Sequence, residues 1–219
     1  MAKIATRDAY GEALAELGHE IEDIVVLDAD LSKSTKTAVF AEKFPNRFFN
    51  MGISEQDMIG TAAGLATCGK IPFASTFAIF ATGRAYEQIR NSICYPQLNV
   101  KIAASHAGIT VGEDGATHQS IEDIALMRVL PHMTVINPAD AFETRQAVKA
   151  AARHNGPVYI RLGRQAVEIV FDENYKFELG KGVMLRDGKD VAIIATGIMV
   201  HEALKAAEEL ANQGIDAMV

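Results

Sequence analysis

"VKIAASHAGITVGEDGATHQ", residues 100–119, joins a short apolar run to a loop of unusual composition. The run at 100–104 has the length and apolar content of a buried strand. The loop at 105–119 holds two histidines, two adjacent acids and three glycines, with few bulky apolar side chains. Such a loop after a buried strand is typical of sheets that collect ligand-binding groups at one edge.

The rest of the chain alternates short strands with longer helical segments in the same way. Strands are predicted at 24–27, 47–50, 72–77, 100–104, 133–137 and 157–162, and helices at about 6–18, 36–44, 54–68, 82–93, 120–129 and 139–153. Ser54 is expected to cap one of these helices, and Asp140 with Glu143 to begin another. The alternation predicts an α/β fold with a parallel sheet and helices on both faces.

The end of the chain has a different organisation. A charged stretch without periodicity covers 171–182, and a strand at 190–196, a helix at 200–214 and a strand from 215 follow it. We therefore expect a first domain at 1–170, a linker at 171–189 and the beginning of an incomplete second α/β domain at 190–219. Because one strand-helix-strand unit cannot bury a core, the segment beyond about 180 is expected to be mobile and to expose apolar surface.

Composition excludes several classes of function. The formal net charge is −7 in a chain of 219 residues, so nucleic acid or an anionic membrane has no global electrostatic attraction to it. No uncharged run approaches the roughly 20 residues that span a bilayer, and the N-terminus lacks a secretory signal. The two cysteines, Cys68 and Cys94, lack metal or redox spacing and are expected to be buried free thiols in a cytoplasmic protein.

Several polar or aromatic residues follow predicted strands and should converge on one edge of the sheet. Glu55 opens a helix, where it is either a simple N-terminal acid or a desolvated carboxylate that bonds a ligand nitrogen. Phe77 and Phe80 are either core residues or a wall for a flat heteroaromatic ring. The sequence pattern alone does not decide between these interpretations.

The remaining candidates are suited to a phosphorylated, hydroxylated substrate. Histidine side chains ordinarily titrate near neutrality, so His106 and His118 are expected to exchange protons with hydroxyls, while Asp114 can bind a sugar hydroxyl. Arg7 and Arg164 are either solvated surface charges or a fork for a phosphate, to which Ser34 would add a hydroxyl donor.

These segments together resemble a known family. "NMGISEQDMIGTAAGLA", "FASTFAIF", "HAGITVGEDGATHQSIED", "NPAD" and "RLGRQ" occur in the order and at the spacing of the transketolase pyrimidine-binding domain, over residues 3–168. The tail resembles the start of the transketolase C-terminal domain. The resemblance implies a thiamine-diphosphate-dependent enzyme of carbohydrate metabolism, in the pentose phosphate pathway, that moves a two-carbon ketol unit between sugar phosphates.

The resemblance also implies roles for individual residues of the cofactor site. Glu55 matches the glutamate that bonds N1′ of the thiamine aminopyrimidine and favours its imino tautomer. Phe77 and Phe80 match aromatics that flank the pyrimidine ring, and Asp30 matches an acid near the cofactor across a subunit interface. Gly83 stands where many members of the family have a third aromatic.

The substrate roles implied by the resemblance fall on the other candidates. His118 matches a catalytic histidine near the reacting sugar oxygens, and Asp114 matches the acid that binds the C2 hydroxyl of the substrate. The residues that match the substrate-phosphate binders are Arg7, Ser34, His106 and Arg164.

One family element is absent from this sequence. Transketolases bind Mg²⁺ and the diphosphate through a GDG segment followed by an asparagine on a separate domain, and no such segment occurs here. We therefore predict no metal ligands in this chain, Mg²⁺ bound by an N-terminal partner subunit, and no activity of this chain alone. The family also places its active site between subunits, which predicts a homodimer within an α2β2 assembly, with the small-residue helix after Glu55 at the dimer interface.

Three alternatives remain open. The chain could be the β-subunit of a 2-oxoacid dehydrogenase, which usually lacks an acidic "GEDG" beside "THQ", or belong to deoxyxylulose-phosphate synthase, which typically has arginine where His106 stands. It could be a non-catalytic assembly subunit, although Glu55 and both histidines are present. A nucleotide-binding Rossmann domain is disfavoured because no GxGxxG follows the first strand.

Overall fold

A computed structural model describes residues 3–219 and contains the predicted alternation of strands and helices. The strands are β1 (Lys3–Ala5), β2 (Ile24–Asp28), β3 (Phe48–Asn50), β4 (Ile71–Phe77), β5 (Lys101–Ser105), β6 (Thr134–Ile136), β7 (Val158–Arg161), β8 (Ala166–Glu168), β9 (Val191–Ala192) and β10 (Ala217–Met218). The α-helices are α1 (Thr6–Glu20), α2 (Ser32–Thr35), α3 (Ala38–Lys43), α4 (Glu55–Thr67), α5 (Tyr86–Gln88), α6 (Asp123–Arg128), α7 (Ala141–Arg153) and α8 (Met199–Ala211).

A six-stranded parallel sheet of order β3-β2-β4-β5-β7-β6 forms the centre of the fold. Successive residues of a strand face opposite sides, so Val25 and Leu27 pack with α4 and α6 while Ile24 and Val26 pack with α1 and α7. The carboxyl ends of all six strands meet at one edge, which we call the rim. The predicted α/β sheet with helices on both faces is confirmed.

Some predicted elements differ in the structure. The predicted helix at 82–93 is a short α-helix between two π-helical segments, Phe80–Arg84 and Ile89–Cys94, and such segments insert an extra residue into a helical turn. The predicted helix at 36–44 is reduced to α3, preceded by the short α2. The short strands β1 and β8, which pair antiparallel, were not predicted because each is too short to show a period.

Two local predictions about side chains are wrong. The side chain of Ser54 makes no capping hydrogen bond, and its backbone, at ψ 68°, lies outside the extended geometry usual for a cap. Cys68 is exposed because it follows the last residue of α4 on the solvent side, whereas Cys94 is buried as predicted.

The segment "NPAD" attaches the end of the chain to the first domain. Asp140 caps α7 by accepting from Glu143 N at 2.9 Å, and its second oxygen accepts from Val170 N at 2.7 Å and Phe171 N at 2.8 Å. Asn137 donates through Nδ2 to Thr196 Oγ1 at 2.9 Å. This motif therefore has a structural role, in which a helix cap is shared with the chain that follows.

The terminal unit consists of β9, α8 and β10, with β9 and β10 parallel. The strand predicted at 190–196 is shortened to β9, and Ile194 beyond it is 95% exposed. The expected exposure of apolar surface is thus present, and the mobility of this segment stays a prediction. Within residues 3–219, none of the helices combines the length and the apolar character needed to cross a bilayer.

A buried lysine supports the edge of the sheet opposite the rim. Lys101, at the start of β5, donates through Nζ to Asn99 Oδ1 at 2.5 Å and to the carbonyl oxygens of His154 and Gly156, both at 2.7 Å. Burial lowers the pKa of Lys101 to about 7, because desolvation disfavours the ammonium form. The three acceptors supply the hydrogen bonds that this buried group requires. The lysine thereby ties β5 to the carbonyls that end α7.

We expect Lys101→Met to lower the free energy of unfolding by about 2–4 kcal/mol, because it removes charge-assisted hydrogen bonds and leaves buried carbonyls without a donor. Lys149→Met, which removes an ion pair with Glu16 at 3.2 Å on the surface, should cost about 0.5 kcal/mol or less. Urea unfolding of the two variants measures the difference. Equal stabilities would contradict this role of Lys101.

Candidate active site

Glu55 lies at the rim, at the first position of α4, with its side chain only 1% exposed. Its Oε2 accepts from Arg84 Nη1 at 2.6 Å, and its Oε1 accepts from Thr76 Oγ1 at 3.3 Å, which is long for a hydroxyl donor. The position at a helix N-terminus further stabilises the negative charge. Glu55 is therefore a desolvated carboxylate with one strongly bonded oxygen and one weakly bonded oxygen.

An aromatic wall stands beside Glu55. Phe77 at the end of β4 and Phe80 on the next turn have ring centroids 5.8 Å apart and nearly parallel planes. The His118 ring meets Phe80 edge-on at 5.2 Å, and the His106 ring stacks on Phe77 at 3.8 Å. The two phenylalanines and two histidines singled out in the sequence thus form one packed cluster, in which Phe77 and His106 are buried and Phe80 and His118 are half-buried.

His106 is a buried residue in a left-handed backbone conformation, with φ 56°. Its Nε2 lies 3.4 Å from Arg7 Nη1, which can only donate, so Nε2 accepts and the Nδ1 proton points to Ser105 Oγ at 3.0 Å. Burial, followed by the charge of Arg7, lowers the pKa of His106 to about 4. The expectation of a pKa near neutrality is wrong for this histidine, because its environment excludes the cation.

Two arginines line a second part of the rim. A cavity of about 400 Å³ is bordered by Arg7, Thr110, Gly112, Arg164 and Gln165. Arg7 donates to the carbonyl oxygen of Ser34 at 3.0 Å, and among residues 3–219 its buried Nε has no partner. An unpartnered guanidinium nitrogen inside a cationic cavity favours an anionic ligand.

Arg164 is held by the loop after β5. It donates to the Val111 carbonyl oxygen at 2.9 Å and to Glu113 Oε1 at 2.7 Å. Gly112 has φ 75°, and a Cβ there would overlap the guanidinium, so this glycine serves both the turn and the close approach of the arginine.

The loop at residues 106–120 is closed at its base. Gly108 and Ser120 exchange backbone hydrogen bonds of 2.9 and 3.1 Å. Within it, Asp114 Oδ2 lies 4.0 Å from His106 Nε2. The closure brings His106, Asp114 and His118 to the same side of the rim as the two arginines.

Asp30 is the one predicted site residue that the structure does not join to the others. It is exposed on the loop after β2 and accepts from Asn50 Nδ2 at 2.9 Å. Its backbone is left-handed, with φ 63°. Its predicted role depends on a neighbouring subunit and stays a prediction.

Sequence reasoning missed several residues that organise the rim. Arg84 pairs with Glu55, as described above. Asp123 accepts from Arg161 Nε at 2.7 Å and from Tyr159 Oη at 2.9 Å, which fixes the chain just after the loop.

The buried Asp28 accepts from Leu31 N and from the hydroxyls of Thr35 and Thr37, and so shapes the turn that carries Asp30 and Ser34. An acid at the end of a wholly apolar strand was the available signal for Asp28.

Comparison with known proteins identifies the family. The transketolase pyrimidine-binding domain matches residues 2–169, and the transketolase C-terminal domain matches residues 180–219. The chain therefore belongs to the transketolase family.

Individual relatives show which part of a transketolase it corresponds to. The chain is 58% identical over 215 residues to a protein of Methanocaldococcus jannaschii named as a candidate transketolase C-terminal section, covering 97% of this chain and 68% of that protein. It is 48% identical to a 6-deoxy-6-sulfo-D-fructose transketolase subunit of Clostridium sp., covering 97% of this chain and 66% of that subunit. A solved structure described as a split-gene transketolase, an inactive β4 tetramer, superimposes with a TM-score of 0.92 at 65% identity, over all of this chain and 71% of the other.

The low pKa of His106 predicts acid sensitivity of the fold. The folded chain holds this histidine neutral down to about pH 4, whereas the unfolded chain protonates it near pH 6.5, so folding stability falls as the pH falls between these values. We expect the wild-type chain to lose about 2–3 kcal/mol more than His106→Asn between pH 7 and pH 4.5 in urea unfolding. Asparagine tolerates the left-handed conformation.

The control is His132→Asn, at an exposed histidine with a similar φ of 65°, which should keep the wild-type pH dependence. If His106→Asn showed the same acid sensitivity as the wild-type chain, the buried neutral state of His106 would be wrong.

Proposed function

We propose that this chain is the C-terminal subunit of a thiamine-diphosphate-dependent transketolase that transfers a two-carbon ketol unit between sugar phosphates. The observation that carries the proposal is the buried carboxylate of Glu55 beside the wall formed by Phe77 and Phe80. A buried acid with an under-bonded oxygen next to flat aromatic faces is suited to an aminopyrimidine, which presents a ring nitrogen at its edge and a π face on each side.

The residues present fit this cofactor. Glu55 Oε1 has capacity for a further donor, since Thr76 lies at 3.3 Å and a carboxylate accepts several hydrogen bonds. Phe80 is only half-buried and can cover part of a ring. When bound, thiamine diphosphate supplies the nucleophilic carbon and electron sink needed to break and form carbon–carbon bonds beside a carbonyl.

The two histidines and Asp114 would bind the sugar hydroxyls and exchange protons with them. His118, half-buried at the edge of Phe80, is the group we assign to proton exchange at the reacting oxygens. His106 is neutral, so it would act as a hydrogen-bond partner and not as a cation. Asp114, 4.0 Å from His106, would accept from a hydroxyl of the sugar.

The cationic cavity would hold the far end of the substrate. Arg7 and Arg164 border it, with Ser34 behind Arg7, and a guanidinium matches a tetrahedral oxyanion in charge and geometry. The Clostridium relative is named for a sulfonated sugar, and a sulfonate has the same three-oxygen terminus as a phosphate. The assay should therefore offer both a phosphorylated and a sulfonated ketose.

The site would be completed by other subunits. The segment expected to bind Mg²⁺ and diphosphate is absent from this sequence, so we assign it to an N-terminal partner. The similar split-gene transketolase is described as an inactive tetramer of β-subunits, which supports this division of labour. A Cβ at Gly60 or Gly64 on α4 would meet no atom within 4 Å among the described residues. This face of the helix is therefore open for the proposed homodimer contact.

A complementation assay tests the proposal. With thiamine diphosphate, Mg²⁺ and a ketose and aldose phosphate pair, we expect no ketol transfer by this chain alone and transfer after addition of the candidate N-terminal subunit. Glu55→Ala in the mixture should lower kcat at least about 100-fold, because it removes the carboxylate that would bond the aminopyrimidine nitrogen.

The matched control is Glu42→Ala, which removes an exposed glutamate from α3 and should leave kcat within about twofold, as surface substitutions usually do. Transfer by this chain alone would contradict the assigned division of labour. Full activity of Glu55→Ala would contradict the assigned site.

A further inference from the structure

Arg84 occupies an unusual place beside the candidate cofactor site. It ends the π-helical segment Phe80–Arg84, and its side chain is 46% exposed, yet it reaches the 1% exposed Glu55 with a 2.6 Å hydrogen bond. The carbon at the centre of its guanidinium lies 4.4 Å from the centroid of the Phe80 ring. One side chain thus contacts both the buried carboxylate and an aromatic of the wall.

The ion pair compensates a charge that the fold would otherwise leave isolated. Among residues 3–219, Arg84 is the only cation paired with Glu55, and Thr76 Oγ1 at 3.3 Å is a weak second donor. A carboxylate removed from water without a partner is strongly unfavourable. In the chain without cofactor, Arg84 is therefore the group that makes burial of Glu55 possible.

Arg84 uses the same two groups that the proposed function gives to the aminopyrimidine. A guanidinium, like that ring, is planar, carries N–H donors and stacks on aromatic faces. Two planar groups cannot occupy the face of Phe80 next to Glu55 at the same time. We propose that Arg84 is a latch that occupies the pyrimidine position in the free chain and swings out when the cofactor binds, an inference that rests on the proposed function.

The surroundings allow the side chain to move while its backbone stays in place. Gln56 on α4 donates through Nε2 to the Arg84 carbonyl oxygen at 3.1 Å, which fixes the backbone. The neighbouring Gly83 leaves space, because a Cβ there would meet only Ile79 at 3.7 Å. The 46% exposed guanidinium can move into water, and the N–H donor of the bound ring would replace it on Glu55, so that the buried carboxylate is not left unpaired.

The latch predicts that Arg84 opposes cofactor binding. Calorimetry would compare the Kd of thiamine diphosphate for the wild type and Arg84→Met, each assembled with the N-terminal partner in saturating Mg²⁺. We expect the variant to bind about five- to thirtyfold more tightly, because the partly exposed Arg84–Glu55 ion pair no longer has to break. Without cofactor, the same variant should unfold at a lower temperature than the wild type, because Glu55 loses its counter-ion. Arg84→Lys should give an intermediate Kd and an intermediate unfolding temperature. It replaces Arg84→Met in the test if the methionine variant does not fold.

The matched control is Arg90→Met, at an exposed arginine whose side chain bonds only Asn91 within residues 3–219, and it should change the Kd less than twofold. An unchanged or weaker Kd for Arg84→Met, or for Arg84→Lys where only that variant folds, would overturn the latch.

Glu55→Gln separates the two hypotheses. If Glu55→Gln loses ketol transfer while Arg84→Met binds no more tightly than the wild type, the latch alone is wrong. If Glu55→Gln keeps both the wild-type Kd and full transfer, the proposed cofactor site itself is wrong, and the latch with it.

Discussion

Burial of the Glu55 carboxylate is the constraint on which the arrangement of the rim depends. A charge at 1% exposure needs compensation, and the fold supplies it from three directions: the N-terminus of α4, the hydroxyl of Thr76 on β4 and the guanidinium of Arg84. Arg84 bonds Oε2 strongly, whereas Thr76 bonds Oε1 only weakly, so Oε1 can accept a further hydrogen bond. A protein that needed only stability would do better with an apolar residue there, so the retained charge is best understood as a functional group.

The parallel sheet turns distant parts of the sequence into neighbours. Arg7 and Arg164 border one cavity although most of the chain separates them, because Arg164 follows β7 at the rim and the pairing of β1 with β8 brings the start of α1 beside it. At the opposite edge Lys101 is a structural group, bonded to the carbonyls after α7, whereas the "NPAD" segment is a structural group at the rim, where it follows β6 and begins α7.

Much of the fold was predictable because the strands are apolar runs bounded by polar loops, a pattern that parallel sheets impose directly. The convergence of Glu55, Phe77, His106 and His118 followed from the same rule, since Phe77 ends a strand and the other three follow one. Their chemical roles stay predictions. The Glu55–Arg84 pair was not predictable, because it depends on a π-helical turn that shifts the direction of the arginine. The neutral state of His106 was also missed, since burial by Phe77 and the nearby Arg7 are tertiary effects that no local pattern shows.

The most direct test of the central claim is a crystal structure of this chain assembled with its N-terminal partner, Mg²⁺ and thiamine diphosphate. The distance that decides is the one between the Glu55 carboxylate and N1′ of the aminopyrimidine. The account predicts a hydrogen bond of about 2.6–3.0 Å, with the ring against Phe80 and Arg84 turned away from Glu55. An aminopyrimidine bound elsewhere, with Glu55 still paired to Arg84, would contradict it.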